Sequence, residues 1–235
     1  MKTIGIIGGM SWKSSLEYYK LLNKIIQGEL GGFHSCKCIM YSVDFNEIIK
    51  LQRWGMWEEL AINIIEAGQR LERAGADFIL IASNTIHRVA KEVEEGLSIP
   101  LLHIADTTGE KIQELGIKKV GLLATNFTME AAFYRERLSQ KYNIEIIIPS
   151  QDDRRVLDHI IFNELVAGII NEISRRKIMR IVSSLSERGS QGIVLGCTEL
   201  PLLIAEEEMQ TRVFNSTLLH VKKGAEIALG KQVLA

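Results

Sequence analysis

The stretch LERAGADFILIASNT, residues 71–85, lines up without a gap on LSERGSQGIVLGCTE, residues 185–199. Gly75 falls on Gly189, Ile79 on Ile193 and Ser83 on Cys197, and each glycine precedes its Ser/Cys partner by eight residues. A second pair of segments joins the match. TIGIIGG at 3–9 resembles KVGLLAT at 119–125, with Gly5 on Gly121. From those glycines to the Ser/Cys position the chain runs 78 residues in one half and 76 in the other. A whole-chain duplication of this kind leaves few folds open. It requires two copies of one unit of about 110 residues, related by a pseudo-twofold axis, rather than a stacked array of short repeats.

The pattern inside each copy names the unit. TIGIIGG, KCIMYSVD, ADFILIAS, PLLHIAD, KVGLLAT, IEIIIPS, GIVLGC and RVFNST are short aliphatic runs, often unbroken. Unbroken runs suit parallel strands buried on both faces. Between them lie segments such as MWEELAINIIEAGQRLERAG, with apolar residues three and four apart and charges opposite. Alternation of this kind predicts an α/β fold: two similar three-layer lobes with parallel four-stranded sheets. The expected boundaries are 1–98 plus 210–235 for the first lobe and 99–209 for the second. Ligands of open α/β sheets collect beyond the carboxyl ends of the strands. Ser83 and Cys197 both sit at such ends.

Bulk properties narrow the function class. The 235 residues are 46% hydrophobic, enough for one large core or two smaller ones. A net charge of -1 provides no field to recruit nucleic acid or acidic lipid. No apolar run approaches the roughly 18 residues of a membrane span. MKTIGIIGGM is broken by glycines and reads as a first strand rather than a signal peptide. Three cysteines give no disulfide framework, so a reducing cytoplasm is expected. CKC at 36–38 has no second Cys or His pair and alternates like a strand, so no metal site is expected.

Several residues could carry chemistry. Cys197 follows a strand, and Thr198 and Pro201 suit the start of a helix, whose positive end would lower the thiol pKa. Asn84 could cap the equivalent helix after Ser83. GIIGGMSW brings Met10 out of a glycine-rich turn that lacks the dinucleotide pattern G-x-G-x-x-G. Its second-half equivalent offers Thr125 and further polar side chains to a carboxylate. Gln52 or Arg53, expected near a loop, could meet a distal carboxylate. His87, four residues past Ser83, shares its helix face and either orients a polar group or packs. His34, His103, His159 and His220 are scattered, and their spacing assigns them no role.

Taken together, IGIIGGMSW, ASNTIH, GLLAT and GCTEL resemble the aspartate/glutamate racemase superfamily, the cofactor-independent amino-acid racemases, over essentially the whole chain. The resemblance implies an active site between two lobes, a homodimer, a carboxyl-terminal segment that returns to the first lobe, and neither pyridoxal phosphate nor metal. In that family two cysteines flank the substrate α-carbon, one removing the proton and the other delivering one to the opposite face. By the same resemblance Met10, Asn84, Thr85, Thr125 and Thr198 match the cradle for the substrate carboxylate and amine. Gln52 matches more loosely a contact to the side-chain carboxylate. The departure is Ser83, which stands where the first cysteine is common and matches a subgroup with a hydroxyl there. Cys197 would then be the main base. Relatives that are single-cysteine decarboxylases or maleate isomerases, or a binding protein without catalysis, are the competing expectations.

Overall fold

The computed structural model describes residues 1–205 and 209–234. The chain divides into two compact units, Met1–His103 with His220–Ala235, and Ile104–Leu219. In the first unit the order is β1 (Ile4–Gly8), α1 (Trp12–Leu30), β2 (Cys38–Ser42), α2 (Phe45–Trp54), α3 (Trp57–Arg73), β3 (Phe78–Ile81), α4 (Ala90–Glu95) and β4 (Leu101–Leu102). The second unit holds α5 (Ile104–Glu114), β5 (Lys119–Leu123), α6 (Asn126–Glu130), α7 (Ala132–Tyr142), β6 (Glu145–Ile147), α8 (Gln151–Ile160), α9 (Glu172–Glu187), β7 (Gly192–Leu195) and β8 (Arg212–Asn215). The last helix, α10 (Ser216–Ala228), begins in the second unit and counts with the first from His220 onward.

Among the described residues each unit has one four-stranded sheet, all parallel, in the orders β2-β1-β3-β4 and β6-β5-β7-β8. The central strands β1, β3 and β7 are buried throughout, whereas the edge strands β2, β6 and β8 are partly exposed. That gradient is why the central strands read as unbroken aliphatic runs.

The strand pairing corrects the expected boundaries. β4, from PLLHIAD, pairs with β3 and closes the first sheet. β8, from RVFNST, pairs with β7 and closes the second. Residues 99–103 therefore stay with the first unit and 210–219 with the second. The repeat register was cut one strand too early in each copy.

The matched glycines have matched physical reasons. A Cβ on Gly5 would lie 2.6 Å from Ile79 Cδ1, and one on Gly121 would lie 2.7 Å from Ile193 Cδ1. The next helix presses on the same spot, Leu71 of α3 in one unit and Leu185 of α9 in the other. Only glycine fits a central strand so close to a crossing helix. Gly75 and Gly189 end those helices with φ of 94° and 88°. Ala76 N–H then donates to Leu71 O at 3.0 Å and Ser190 N–H to Leu185 O at 3.1 Å, the same left-handed stop in both copies. Each stop turns the chain directly into β3 or β7 and so sets where Ser83 and Cys197 emerge.

The hydrophobic interior follows the layers. In the first unit Ile7, Ile64, Ile79 and Ile81 pack on one side of the sheet. Ile4, Ile6, Tyr18, Leu80 and Val221 pack on the other, under α1 and α10. The second unit's core joins Leu122, Leu138, Ile181, Ile193 and Leu195.

Candidate active site

Backbone ladders carry Ser83, Thr125 and Cys197 to strand tips. In the first unit Ala82 N–H donates to Ile7 O at 2.9 Å, so the chain leaves β1 at Gly8 and β3 at Ser83 side by side. Val43 N–H donates to Gly8 O at 3.0 Å, which adds the end of β2 to the same edge. A Cβ on Gly9 would fall 2.2 Å from Val43 O, so that crossing also requires glycine. Met10, Asn84 and Thr85 are buried on this edge, and Ser83 is partly exposed. Gln52 is buried as well, but on α2 rather than in a loop. Gly55 supplies the left-handed stop after that helix, with φ 71°. The glycine that suggested a loop is the helix terminator.

The second unit repeats the frame. Gly196 N–H donates to Leu123 O at 2.7 Å, placing Thr125 and Cys197 on adjacent tips of β5 and β7. Thr125 caps α6, its Oγ1 accepting from Thr128 N–H at 3.4 Å. Cys197 is 7% exposed, and its Sγ–H donates to Glu199 Oε2 at 3.1 Å. Thr198 Oγ1–H donates to the same oxygen at 2.7 Å. Glu199 is itself 5% exposed, so a buried carboxylate collects both donors.

This overturns the expected electrostatics of Cys197. No proper helix follows it. Leu200–Leu202 form a three-residue 3-10 turn, whose N-cap residue Glu199 makes no side-chain cap bond. Asn84 likewise makes no cap onto the 3-10 turn Thr85–Val89. The backbone N–H groups of Glu199 and Leu200 still favour the thiolate, but they are outweighed. Burial pushes the Cys197 pKa well above the ordinary thiol value, and the Glu199 carboxylate adds to the rise. The resting group is a thiol, held as a donor to a base.

Sequence reasoning passed over Glu199, because Glu two places after Cys reads as first-turn helix chemistry. Its burial is the signal, and burial is visible only in the fold. It also passed over His103 and His220. Both lie in the first unit and contact His87, with ring centroids 4.6 Å and 5.7 Å from it. His87 Nδ1 donates to the backbone carbonyl of Ser83 at 2.7 Å. Among the described residues no group of three or more His, Cys, Asp or Glu is arranged to hold a metal ion. Among them, too, no helix is long and apolar enough to cross a membrane. Cys36, Cys38 and Cys197 are all free.

The likeness to known proteins has the same extent as the duplication. Residues 7–224 match the model of the Asp/Glu/hydantoin racemase family. The chain is 25% identical to the broad specificity amino-acid racemase RacX of Bacillus subtilis, covering 97% of this chain and 99% of that one. A crystal structure from Yersinia pestis, described as a candidate Asp/Glu racemase, shares 45% identity at a TM-score of 0.91, covering 97% and 100% of the two chains. An aspartate racemase homologue from Pyrococcus horikoshii shares 36% identity at a TM-score of 0.86, with the same coverages. With two parallel sheets of one topology, and a family match over nearly the whole length, the chain belongs to the Asp/Glu/hydantoin racemase family.

Proposed function

We propose that this protein racemises an acidic amino acid, aspartate or glutamate, as a homodimer in the cytoplasm. In this reading Cys197 exchanges the α-proton on one face of the substrate and Ser83 serves the other. The observation that carries the proposal is the Cys197–Glu199 pair. A structural cysteine has no need of a buried carboxylate 3.1 Å from its sulfur.

The chemistry follows from that pair. The α-proton of an amino acid is very weakly acidic, so the base must be strong and poorly solvated. A buried thiolate meets both conditions once it forms. Glu199 accepts the Cys197 proton, and the substrate α-ammonium supplies the positive charge that favours the thiolate. The thiolate then takes the α-proton, and the C–H electron pair remains on carbon, spread into the carboxylate. Ser83 Oγ–H gives a proton to the opposite face and recovers one from water, and Glu199 returns its proton to the hydroxide so formed, which restores the Cys197 thiol, the Glu199 carboxylate and the Ser83 hydroxyl. Met10, Asn84, Thr85, Thr125 and Thr198 hold the carboxylate and amine, stabilising negative charge as it develops on the carboxylate. Gln52 meets the side-chain carboxylate. Aspartate and glutamate as substrates are supported by the names of the similar proteins from Yersinia and Pyrococcus.

Proton NMR of each enantiomer of aspartate and glutamate in D₂O tests the reading. The α-proton signal of at least one pair should fade, with the mirror-image product accumulating. Intact α-proton signals in all four would overturn it.

One observation favours a second reading. A thiol held protonated is ready to donate its proton, and a serine hydroxyl is a weaker donor still. A single-cysteine decarboxylase would use that thiol to protonate the carbanion left by departing CO₂. Release of CO₂ from a disubstituted malonate, without racemisation, would select it.

A further inference from the structure

Outside the proton-transfer pair, a buried cluster of polar rings lies in the first unit. It consists of His87, His103, His220 and Tyr18, which are 2%, 4%, 0% and 0% exposed. They come from four separate places: the turn after Ser83, the end of β4, α10 and α1. We propose that His87, braced by the other three, is the positioning residue for Ser83, fixing the Ser83 carbonyl so that its hydroxyl is presented to the substrate. The inference rests on the reading of Ser83 as the second proton-transfer group.

Hydrogen bonds set the tautomers of His87 and His220. A carbonyl can only accept, so His87 must carry its proton on Nδ1, which lies 2.7 Å from Ser83 O. His220 Nε2 lies 2.9 Å from Leu102 O and must also be protonated. His220 Nδ1 is then the acceptor, and Tyr18 O–H donates to it at 2.8 Å. Burial, reinforced by the neighbouring His87, pushes the His220 pKa down to about 3, so the ring stays neutral and keeps this tautomer at neutral pH. The Tyr18 and His220 rings meet edge to face at 5.8 Å, which fixes the orientation of His220. His220 in turn lies edge-on to His87, while His103 packs on it at a tilt of 57°.

Packing of the His220 and His103 rings against it leaves the His87 ring little freedom. Its hydrogen bond reaches the peptide that joins Ser83 to Asn84, and rotation of that peptide would swing Ser83 Oγ. Serine has one short side-chain torsion and must therefore be aimed by its backbone. Burying three imidazoles has a solvation cost, and structural packing at this tip could be done by aliphatic side chains. The directed bond from His87 to Ser83 is the sign of a positioning task.

The test separates positioning from simple stabilisation by two rates measured together in D₂O. One is deuterium wash-in without inversion, which needs only Cys197. The other is inversion, which also needs Ser83. His87→Leu should lower inversion at least tenfold while wash-in changes by less than twofold. His87→Asn places an amide N–H near the position of Nδ1 and should restore much of the inversion; His87→Gln, which reaches too far, should not. Tyr18→Phe should shift the ratio in the same direction by a smaller factor. An equal fall in both rates, or no change in their ratio, would overturn the positioning role. Should His87→Leu fail to fold, the Asn and Gln pair decides, since equal inversion in those two variants is also contrary to it. Absence of both rates in the unaltered protein would instead overturn the racemase reading itself.

Discussion

The two strand tips share one backbone frame and opposite electrostatics. Ser83 and Cys197 each follow a strand that is locked to its neighbour by the same bond, Ala82 to Ile7 in one unit and Gly196 to Leu123 in the other. Two residues further on, Thr85 stands in the first unit where Glu199 stands in the second, and four residues on His87 stands where Pro201 does. At the first tip the Ser83 carbonyl is gripped by the buried His87 ring, against which His103 and His220 pack. The second places a carboxylate against a thiol. Duplication supplied two equivalent positions. In the proposed reading, the different flanking residues make one a directed hydroxyl and the other a thiol with its own base.

That contrast can be broken from the strong side first. Cys197→Ala should remove α-proton exchange from every substrate enantiomer, a loss of at least about 1,000-fold, consistent with removing an essential nucleophile or base. Retained exchange, read by the same NMR assay, would mean that the thiol is structural.

A medium-sized effect concerns reactivity. With burial and Glu199 both raising the Cys197 pKa, alkylation by iodoacetamide near pH 7.5 should label Cys197 slowly. Cys38, whose pKa the hydrogen bond from Cys36 lowers to about 7, should label first. Glu199→Gln removes a negative charge and so lowers the Cys197 pKa. Its labelling rate below that pKa should rise about tenfold for each unit of the drop. Peptide-resolved mass spectrometry reads both rates, and unchanged labelling of Cys197 in E199Q would contradict the pairing.

The smallest effect probes the frame itself. Gly5→Ala and Gly121→Ala should each destabilise by about 1–3 kcal/mol through overpacking. Gly5→Ala should cost more. Its second close neighbour is Ala76 Cβ at 2.9 Å, fixed to the backbone, whereas at Gly121 it is Leu185 Cδ1 at 2.9 Å, the free end of a side chain. Urea midpoints of the two variants give the comparison, and a costlier Gly121→Ala would reverse it.

Much of the frame was legible because it is local. The offsets between Gly75 and Ser83 and between Gly189 and Cys197 encode a helix stop, a buried strand and a tip, all within a few residues. The α/β class and the parallel sheets followed from unbroken aliphatic runs. The unit boundaries were not legible, because the identity of the last strand in each sheet depends on pairing across about 20 residues. Nor was the charge environment of Cys197. GCTELP carries every cue for a capped helix, yet the chain makes only a short 3-10 turn, and the glutamate turns inward to accept from the thiol. The histidine cluster was the least legible. His87, His103 and His220 span 133 residues and meet only because β4 and the carboxyl-terminal half of α10 belong to the first unit.

The central claim is that the two tips do different halves of one proton exchange, and Ser83→Ala tests it most directly. In D₂O with the preferred substrate, inversion should fall about 100-fold or more. The enantiomer whose α-proton faces Cys197 should still take up deuterium with its configuration retained. Because the two enantiomers have equal free energy in water, inversion must fall by the same factor in kcat/KM from either side. Inversion at the unaltered rate in Ser83→Ala would contradict the account, since Cys197 would then be supplying both faces or neither.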